Sequence, residues 1–360
     1  MDLSISASLG IMDSTSLSCR NRQVQESSNP APAERFQILS LDGGGLKGLF
    51  SACFLAEWEQ HVGRPITSSF DLIAGTSTGG IIALALGAGF PAAQIVEFYR
   101  QHGPAIFPAE VFEAVGRARQ AFGSRYRPEP LESVLDGYFG ARLLGESSTR
   151  LVIPAYHAER GIYIFKTAHH PRLLIDCNER MAVVARATGA APTYLPPFEL
   201  ERGLRLIDGG VWANNPVQIA VNEALGYLAV PQHRIATVRI GTTTEVASPN
   251  DYPSDPGGLG PKQVSLFVNL MMRGQSQAAS GGVRHILGPE RYFEVDPLVS
   301  ANAYRLDRLS EDLRGLARAE FRRTVSDLHE RGFLDHVAEP FIPINPIRGK
   351  RHGLINARSA

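Results

Sequence analysis

Cysteine is scarce in this chain, and charge of either sign is in no surplus. Three cysteines, Cys19, Cys53 and Cys177, are too few and too scattered for a disulfide framework or a C-x-x-C metal site. They are expected to be free thiols, as suits a reducing cytoplasm. Lys and Arg number 36, and so do Asp and Glu. The chain therefore lacks the basic excess of a nucleic-acid binder, and no nucleic-acid polymer is expected as a partner. Long apolar runs are missing too. The longest nearly unbroken one, "IIALALGAGFPAA" at 81–93, falls short of the roughly 20 residues that cross a bilayer, which leaves peripheral membrane contact. The Ser-rich segment 1–34 has no Lys or Arg before Arg20 and no sustained apolar stretch. It reads as a disordered tail rather than a secretory signal. No H-E-x-x-H pattern or paired His/Cys cluster occurs, so no metal is expected, and His169-His170 falls in a loop before Pro171.

What is there is an ordinary soluble composition, 44% apolar and 20% charged in 360 residues, enough to bury a large core. No internal repeat interrupts residues 35–340, which read as one compact unit. "RFQILSL" (35–41), "FDLIAG" (70–75), "RLVIPAYHA" (150–158), "GLRLIDGG" (203–210) and "RIATVRIGT" (234–242) have the length and apolarity of buried strands. Segments of helical period separate them, and strands alternating with helices predict an α/β fold with a mainly parallel central sheet flanked by helices on both faces. In "NPVQIAVNEALGYL", Asn214 or Asn215 is the expected cap and Pro216 the first turn. A helical C-terminal part is expected over 262–331, followed by a basic tail, 341–360, carrying Arg348, Lys350, Arg351 and Arg358.

Two glycine-rich turns stand out. Gly75-Thr76-Ser77-Thr78-Gly79 matches G-x-S-x-G between a predicted strand and a predicted helix. Such a turn presents a serine hydroxyl from a strained backbone, with the flanking glycines supporting the close approach of strand and helix. Asp42 to Gly48, "DGGGLKG", is the second. Its bare Gly43, Gly44 and Gly45 amides suit the oxyanion of a tetrahedral intermediate. The same residues, Gly43, Gly45 and Gly48, also spell the dinucleotide fingerprint G-x-G-x-x-G. That reading lacks the ribose-binding acid, because the second strand ends in Gly-Thr-Ser. A nucleophilic serine needs a proton acceptor, and the best base is Asp208, at a strand end followed by Gly209 and Gly210. A Ser, Asp, His triad drawing on His233, His329 or His336 is a rival, as is a degenerate site that only senses ligand.

These blocks together resemble patatin-like phospholipases, whose members carry a D-G-G-G-x-[RK]-G loop, a G-x-S-x-G elbow and a D-G-[GA] turn in this order. The resemblance covers about residues 36–241, and a fourth block, "ATGAAPTYLPP" (187–197), looks like the family's segment before the acid. It implies a three-layer patatin-like fold and a Ser77–Asp208 dyad acting through an acyl-enzyme. The oxyanion hole falls to Gly43, Gly44, Gly45 and Lys47, with support from Gly48, Gly75, Gly79, Gly209 and Gly210, and no cofactor is needed. Lys47 stands where plant members usually carry Arg, so a planar bidentate contact is lost, and Gly189 stands where Ala or Ser is frequent. The texture around the motifs looks most like the bacterial phospholipase effectors of cyclic-oligonucleotide antiphage (CBASS) defence. That narrower resemblance implies membrane phospholipid as substrate, a cyclic dinucleotide as activator, and a cytoplasmic protein peripheral to the inner face of the membrane when active. A homo-oligomer and a constitutive, nucleotide-independent lipid acyl hydrolase both stay open.

Overall fold

The structure, a computed structural model, describes residues 35–107, 123–200, 203–246, 261–300 and 303–344. The expected N-terminal tail, Cys19 and the basic residues from Arg348 onward lie outside the described residues.

The parallel part of the sheet is built from strands that read as continuous apolar runs. β1 (Phe36–Leu41) lies between β2 (Leu72–Gly75) and β7 (Ile235–Ile240), and β9 (Tyr292–Val295) extends the sheet beyond β7, all parallel. β2 and β7 are buried at every position, as expected for strands covered on both faces. Successive side chains point to opposite faces, and the core divides accordingly. Leu39, Leu41 and Ile73 join the larger cluster with Phe50, Phe54 and Trp58 of helix α1 (Gly48–Val62). Ile38, Leu72 and Ala74 join a smaller one with Val217 and Val221 of the helix Val217–Gly226 and Val283 of the helix Pro261–Leu287. The result is the expected three layers, with α2 (Thr78–Gly87), α3 (Ala92–Ile106) and the helix Asp312–Glu330 also on the larger face.

The other half of the sheet is antiparallel, which the apolar runs did not announce. β3 (Arg150–His157) pairs in parallel with β2 through Arg150–Val152. It pairs antiparallel with β4 (Gly161–Lys166) and, through Ala155–His157, with β6 (Leu204–Asp208), beyond which lies β5 (Phe198–Leu200). β4 shares Val152 with β2 and Ala155 to His157 with β6. A residue pairs with one strand per edge, so β4 takes one edge of β3, and β2 and β6 share the other, running toward each other. Their C-terminal ends, Gly75 and Asp208, therefore converge on the stretch Ile153–Pro154, where β3 has no partner on that edge. This head-on meeting of two strands positions the site. A small parallel pair, β8 (Thr244–Glu245) with β10 (Leu298–Val299), lies beyond the C-terminal ends of β7 and β9.

Candidate active site

Leaving β2, the chain turns so sharply that Ser77 takes φ 53° and ψ −120°, a conformation that strains any residue but glycine. The turn closes only because its neighbours are small. A Cβ on Gly75 would stand 2.2 Å from the Gly79 carbonyl oxygen, and one on Gly79 would stand 2.3 Å from that of Leu41. Hydrogen bonds fix the strained backbone: the Thr76 amide donates to the Leu41 carbonyl (3.1 Å), and the Thr76 hydroxyl donates to the Ala213 carbonyl (2.6 Å). The Ser77 amide donates to the Thr188 hydroxyl (3.0 Å), which in turn donates to the Pro154 carbonyl (2.6 Å). Ser77 is partly exposed, while residues 71–76 and 78–80 are buried.

Asp208, at the end of β6, is buried. Its carboxylate accepts from the Gly210 amide (2.6 Å) and from the Ser77 side chain. Burial pushes its pKa up from the ordinary 3.8 to about 6, and the hydrogen bonds from Ser77 and Gly210 only partly oppose this. The turn after it packs onto the unpartnered stretch of β3. A Cβ on Gly209 would lie 2.4 Å from the Pro154 carbonyl oxygen, and the Trp212 indole donates to the Ala155 carbonyl (2.9 Å). Thus two residues 131 positions apart (208 minus 77) meet because both are pinned to one point on β3.

The glycine loop crosses in front of this pair, close enough that a Cβ on Gly43 would stand 3.4 Å from the Ser77 Cβ. Of its expected amide donors, that of Gly43 is committed to the Asn214 carbonyl (3.0 Å). The Gly44 and Gly45 amides bond no other described residue. A Cβ on Gly44 would stand 2.1 Å from the Thr242 hydroxyl, and Gly45 has φ +57°, so neither position tolerates a side chain. Lys47 braces the loop from outside, its ammonium donating to the Thr243 carbonyl (3.2 Å) and its amide to the Gly44 carbonyl (3.2 Å). Gly48 lets α1 approach the elbow, since a Cβ there would sit 2.4 Å from the Thr78 hydroxyl.

None of the three histidines considered for a triad lies at this site. His336 is buried at the opposite end of β2, its Nε2 2.7 Å from the Asp71 carboxylate. His233 precedes β7, at the N-terminal end of a parallel strand. His329 ends the helix Asp312–Glu330, largely exposed and 3.6 Å from Asp335. His169, in the expected loop, is held between the Thr167 hydroxyl and Glu223, each at 2.9 Å. Among the described residues no group of three or more His, Cys, Asp or Glu could hold a metal ion. Cys53 and Cys177 are free and buried.

With this geometry in view, the Patatin-like phospholipase family profile matches residues 39–221, just over half of the chain, spanning the glycine loop, the elbow and the Asp208 turn. The chain belongs to that family. As a patatin-like phospholipase it is a lipid acyl hydrolase. Among its relatives, the "cGAMP-activated phospholipase" of Pseudomonas aeruginosa is 34% identical, over 84% of this chain and 88% of that one. The protein of the same name in Vibrio cholerae is 34% identical over 62% and 69%. "Patatin-like protein 2" of Arabidopsis thaliana is 32% identical over 60% and 56%.

Sequence reasoning missed Arg239, which meets Asp42 with two guanidinium nitrogens, and missed Thr188 under the elbow. For Arg239 a signal exists: an arginine between Val238 and Ile240 in a fully buried strand must have a charged partner. Thr188 stands second in the block 187–197 that resembles the family's segment before the acid, which marked the stretch but not the anchoring role of its hydroxyl.

Proposed function

We propose that Ser77 and Asp208 act as a catalytic dyad that hydrolyses fatty-acyl esters of membrane phospholipids, with a cyclic dinucleotide switching the activity on. The observation that carries the reading is a partly exposed serine, held in a strained backbone, whose hydroxyl contacts a buried carboxylate that no cation among the described residues neutralises. Asp208 takes the hydroxyl proton as Ser77 Oγ attacks the ester carbonyl. The resulting oxyanion accepts from the Gly44 and Gly45 amides. Collapse of that intermediate transfers the proton from Asp208 to the departing lysolipid and leaves an acyl-serine. Water then loses a proton to Asp208 and attacks the acyl group, and Asp208 returns that proton to Ser77 Oγ as the acyl–serine bond breaks and the fatty acid leaves. A carboxylate is a weak base for a hydroxyl, and the raised pKa of Asp208, about 6, brings the proton transfer closer to balance.

Activation by cyclic GMP–AMP comes to this chain from the names of its bacterial relatives. Peripheral contact with the bilayer fits the absence, among the described residues, of a helix long and apolar enough to cross it. It also fits the exposed Val211 beside the Asp208 turn and Leu298 on β10. The test is release of fatty acid from phosphatidylglycerol and phosphatidylethanolamine vesicles, with and without cyclic GMP–AMP, by the wild-type protein and Ser77→Ala. Release that needs both the nucleotide and Ser77 is expected. Equal release without nucleotide leaves a constitutive acyl hydrolase, and release by Ser77→Ala overturns the dyad.

A further inference from the structure

We infer that Arg239 is a positioning residue for the oxyanion loop, acting through Asp42, and the inference rests on the dyad reading above. The loop cannot position itself. Gly43 to Gly45 have no side chains, so their backbone is aimed by what it leans on: the Gly43 amide donates to the Asn214 carbonyl and its carbonyl accepts from the Thr242 hydroxyl (3.0 Å each), and Gly44 and Gly45 depend on the two ends of the loop. Downstream, the Leu46 amide donates to the Leu306 carbonyl (2.7 Å). Upstream, the anchor is Asp42, the residue before the glycines, and Arg239 is what holds its side chain. Nε of Arg239 donates to both Asp42 oxygens (3.2 and 3.1 Å) and Nη2 donates to Oδ2.

The other bonds of the guanidinium run to groups outside the loop. Nη1 donates to Glu294, and Nη2 donates to Asp296 (3.0 Å) and to the Ser276 hydroxyl on the helix Pro261–Leu287 (3.0 Å). One planar group with five donors thus ties the loop to β9 and to a helix on the other face of the sheet. A lysine ammonium, with a single point of charge, cannot reproduce that span. Arg239, Ser276, Glu294 and Asp296 all lie beyond residues 39–221, so this support stands outside the part of the chain that matches the family profile.

Stability alone is a poor reason for this arrangement. Arg239 is 4% exposed and faces three carboxylates, with only Arg284 adding a second cation on Glu294. Burying such a group is costly, and well-packed apolar residues often hold a sheet as well. The strands it bridges are already joined by backbone ladders from Phe36 to Ile240 and from Thr237 to Val295. Backbone bonds from the Asp42 amide to the Ile240 carbonyl (3.1 Å) and from the Gly43 amide to the Asn214 carbonyl (3.0 Å) carry the order one step past Leu41; the stretch Gly44–Gly45, whose amides bond no other described residue, takes its direction from how Asp42 is held.

The experiment is steady-state hydrolysis of a p-nitrophenyl acyl ester by the full chain in saturating cyclic GMP–AMP, for Arg239→Lys, Asp42→Asn and the double variant, beside Ser77→Ala. Thermal melting is followed in parallel. Loss of one oxyanion donor typically costs about 10²-fold or more in turnover. Arg239→Lys is therefore expected to lower kcat about 10²-fold, with KM within twofold and the midpoint of the pH profile unmoved, because Asp208 is untouched. The double variant is expected to be no worse than the poorer single one. A kcat within twofold of wild type at a temperature well below melting would overturn the inference, even with a lowered melting temperature, and so would additive losses in the double variant. Should Arg239→Lys fail to fold, Ser276→Ala, which frees only the outer side of the guanidinium, is expected to lower kcat several-fold at unchanged KM, and no change there would overturn it. If Ser77→Ala retains activity, the dyad reading itself has failed. If Ser77→Ala is inactive while the Arg239 and Ser276 variants are not, only this inference has.

Discussion

At its N-terminal end β2 is preceded by Asp71, whose carboxylate accepts from the Gln37 amide (2.7 Å) and lies 2.7 Å from the His336 ring. At its C-terminal end β2 runs into Ser77, which touches Asp208. Both ends hold a buried aspartate, and the inner one carries the histidine partner that a triad would need. The difference lies in what each carboxylate is given. Asp71 accepts from a backbone amide and an imidazole on one oxygen, Oδ2, and seals a seam between β2 and the C-terminal segment, where Arg64 also donates to the Leu334 and His336 carbonyls (2.8 and 2.7 Å). Asp208 has a hydroxyl and one amide and, among the described residues, no cation, and burial raises its pKa to about 6. A carboxylate whose raised pKa disposes it to take a proton, beside a partly exposed hydroxyl, can do chemistry, whereas one tied to a buried imidazole and a strand amide holds structure.

The sharpest way to break this comparison is to remove the central group from each end. Ser77→Ala is expected to abolish ester hydrolysis, a loss on the order of 10⁴-fold or more, with melting little changed, because alanine keeps the strained backbone of the elbow. His336→Ala should leave turnover within twofold and cost the fold about 1–3 kcal/mol, since an accepting carboxylate loses a buried partner. Steady-state assays together with denaturant titrations would register both. A collapse of turnover in His336→Ala at full folding would erase the distinction.

Asp208→Asn comes next and separates catalysis from stability. Turnover should fall nearly as far as for Ser77→Ala. Stability moves the other way, and its sign follows from the raised pKa. Because the folded pKa, about 6, lies above the ordinary 3.8, the folded state holds a proton that the unfolded state has already released. The contribution of that proton is present below about pH 4 and is lost as pH rises through 6. At pH 8 the wild type carries a buried ionised carboxylate that the variant lacks. Asp208→Asn should therefore melt higher than wild type at pH 8, by up to roughly 3 kcal/mol, with the gain fading toward pH 4. The same ionisation predicts that wild-type kcat/KM rises with pH across about 6 and then levels.

Gly44→Ala tests the loop. Its added Cβ would stand 2.1 Å from the Thr242 hydroxyl, so the loop must shift. A loss of about 10²- to 10³-fold in kcat is expected, readable by steady-state kinetics beside an unchanged KM. The smallest effect is expected from Thr188→Val, which removes the acceptor of the Ser77 amide but leaves the elbow glycines in place. A roughly tenfold fall in kcat would follow from a looser serine, equivalent to about 1.4 kcal/mol.

Much of this was legible in the residues. The strands β1, β2, β3, β6 and β7 announce themselves as apolar runs, and both glycine turns fall where strand gives way to helix. β4, β5 and the pair β8 and β10 did not, because short or half-exposed strands in a sheet edge carry little periodicity. β4 follows β3 through a tight turn at Gly161, φ +89°, and lies antiparallel to it, an exception within the mainly parallel sheet that the alternation of strand and helix predicts.

By itself the sequence determined the chemistry on offer: a serine between glycines, a run of bare amides, an aspartate before two glycines, and the strands that carry them. These are local properties, set by which residues a sharp turn or a buried strand can accept. Only the tertiary structure decided that β2 and β6 run head-on along one edge of β3, that the Gly43 amide is already committed, and that His336 stands at the wrong end of β2. Such facts depend on which distant strands share an edge, and strand pairing is settled by packing of the whole sheet rather than by any short stretch of chain.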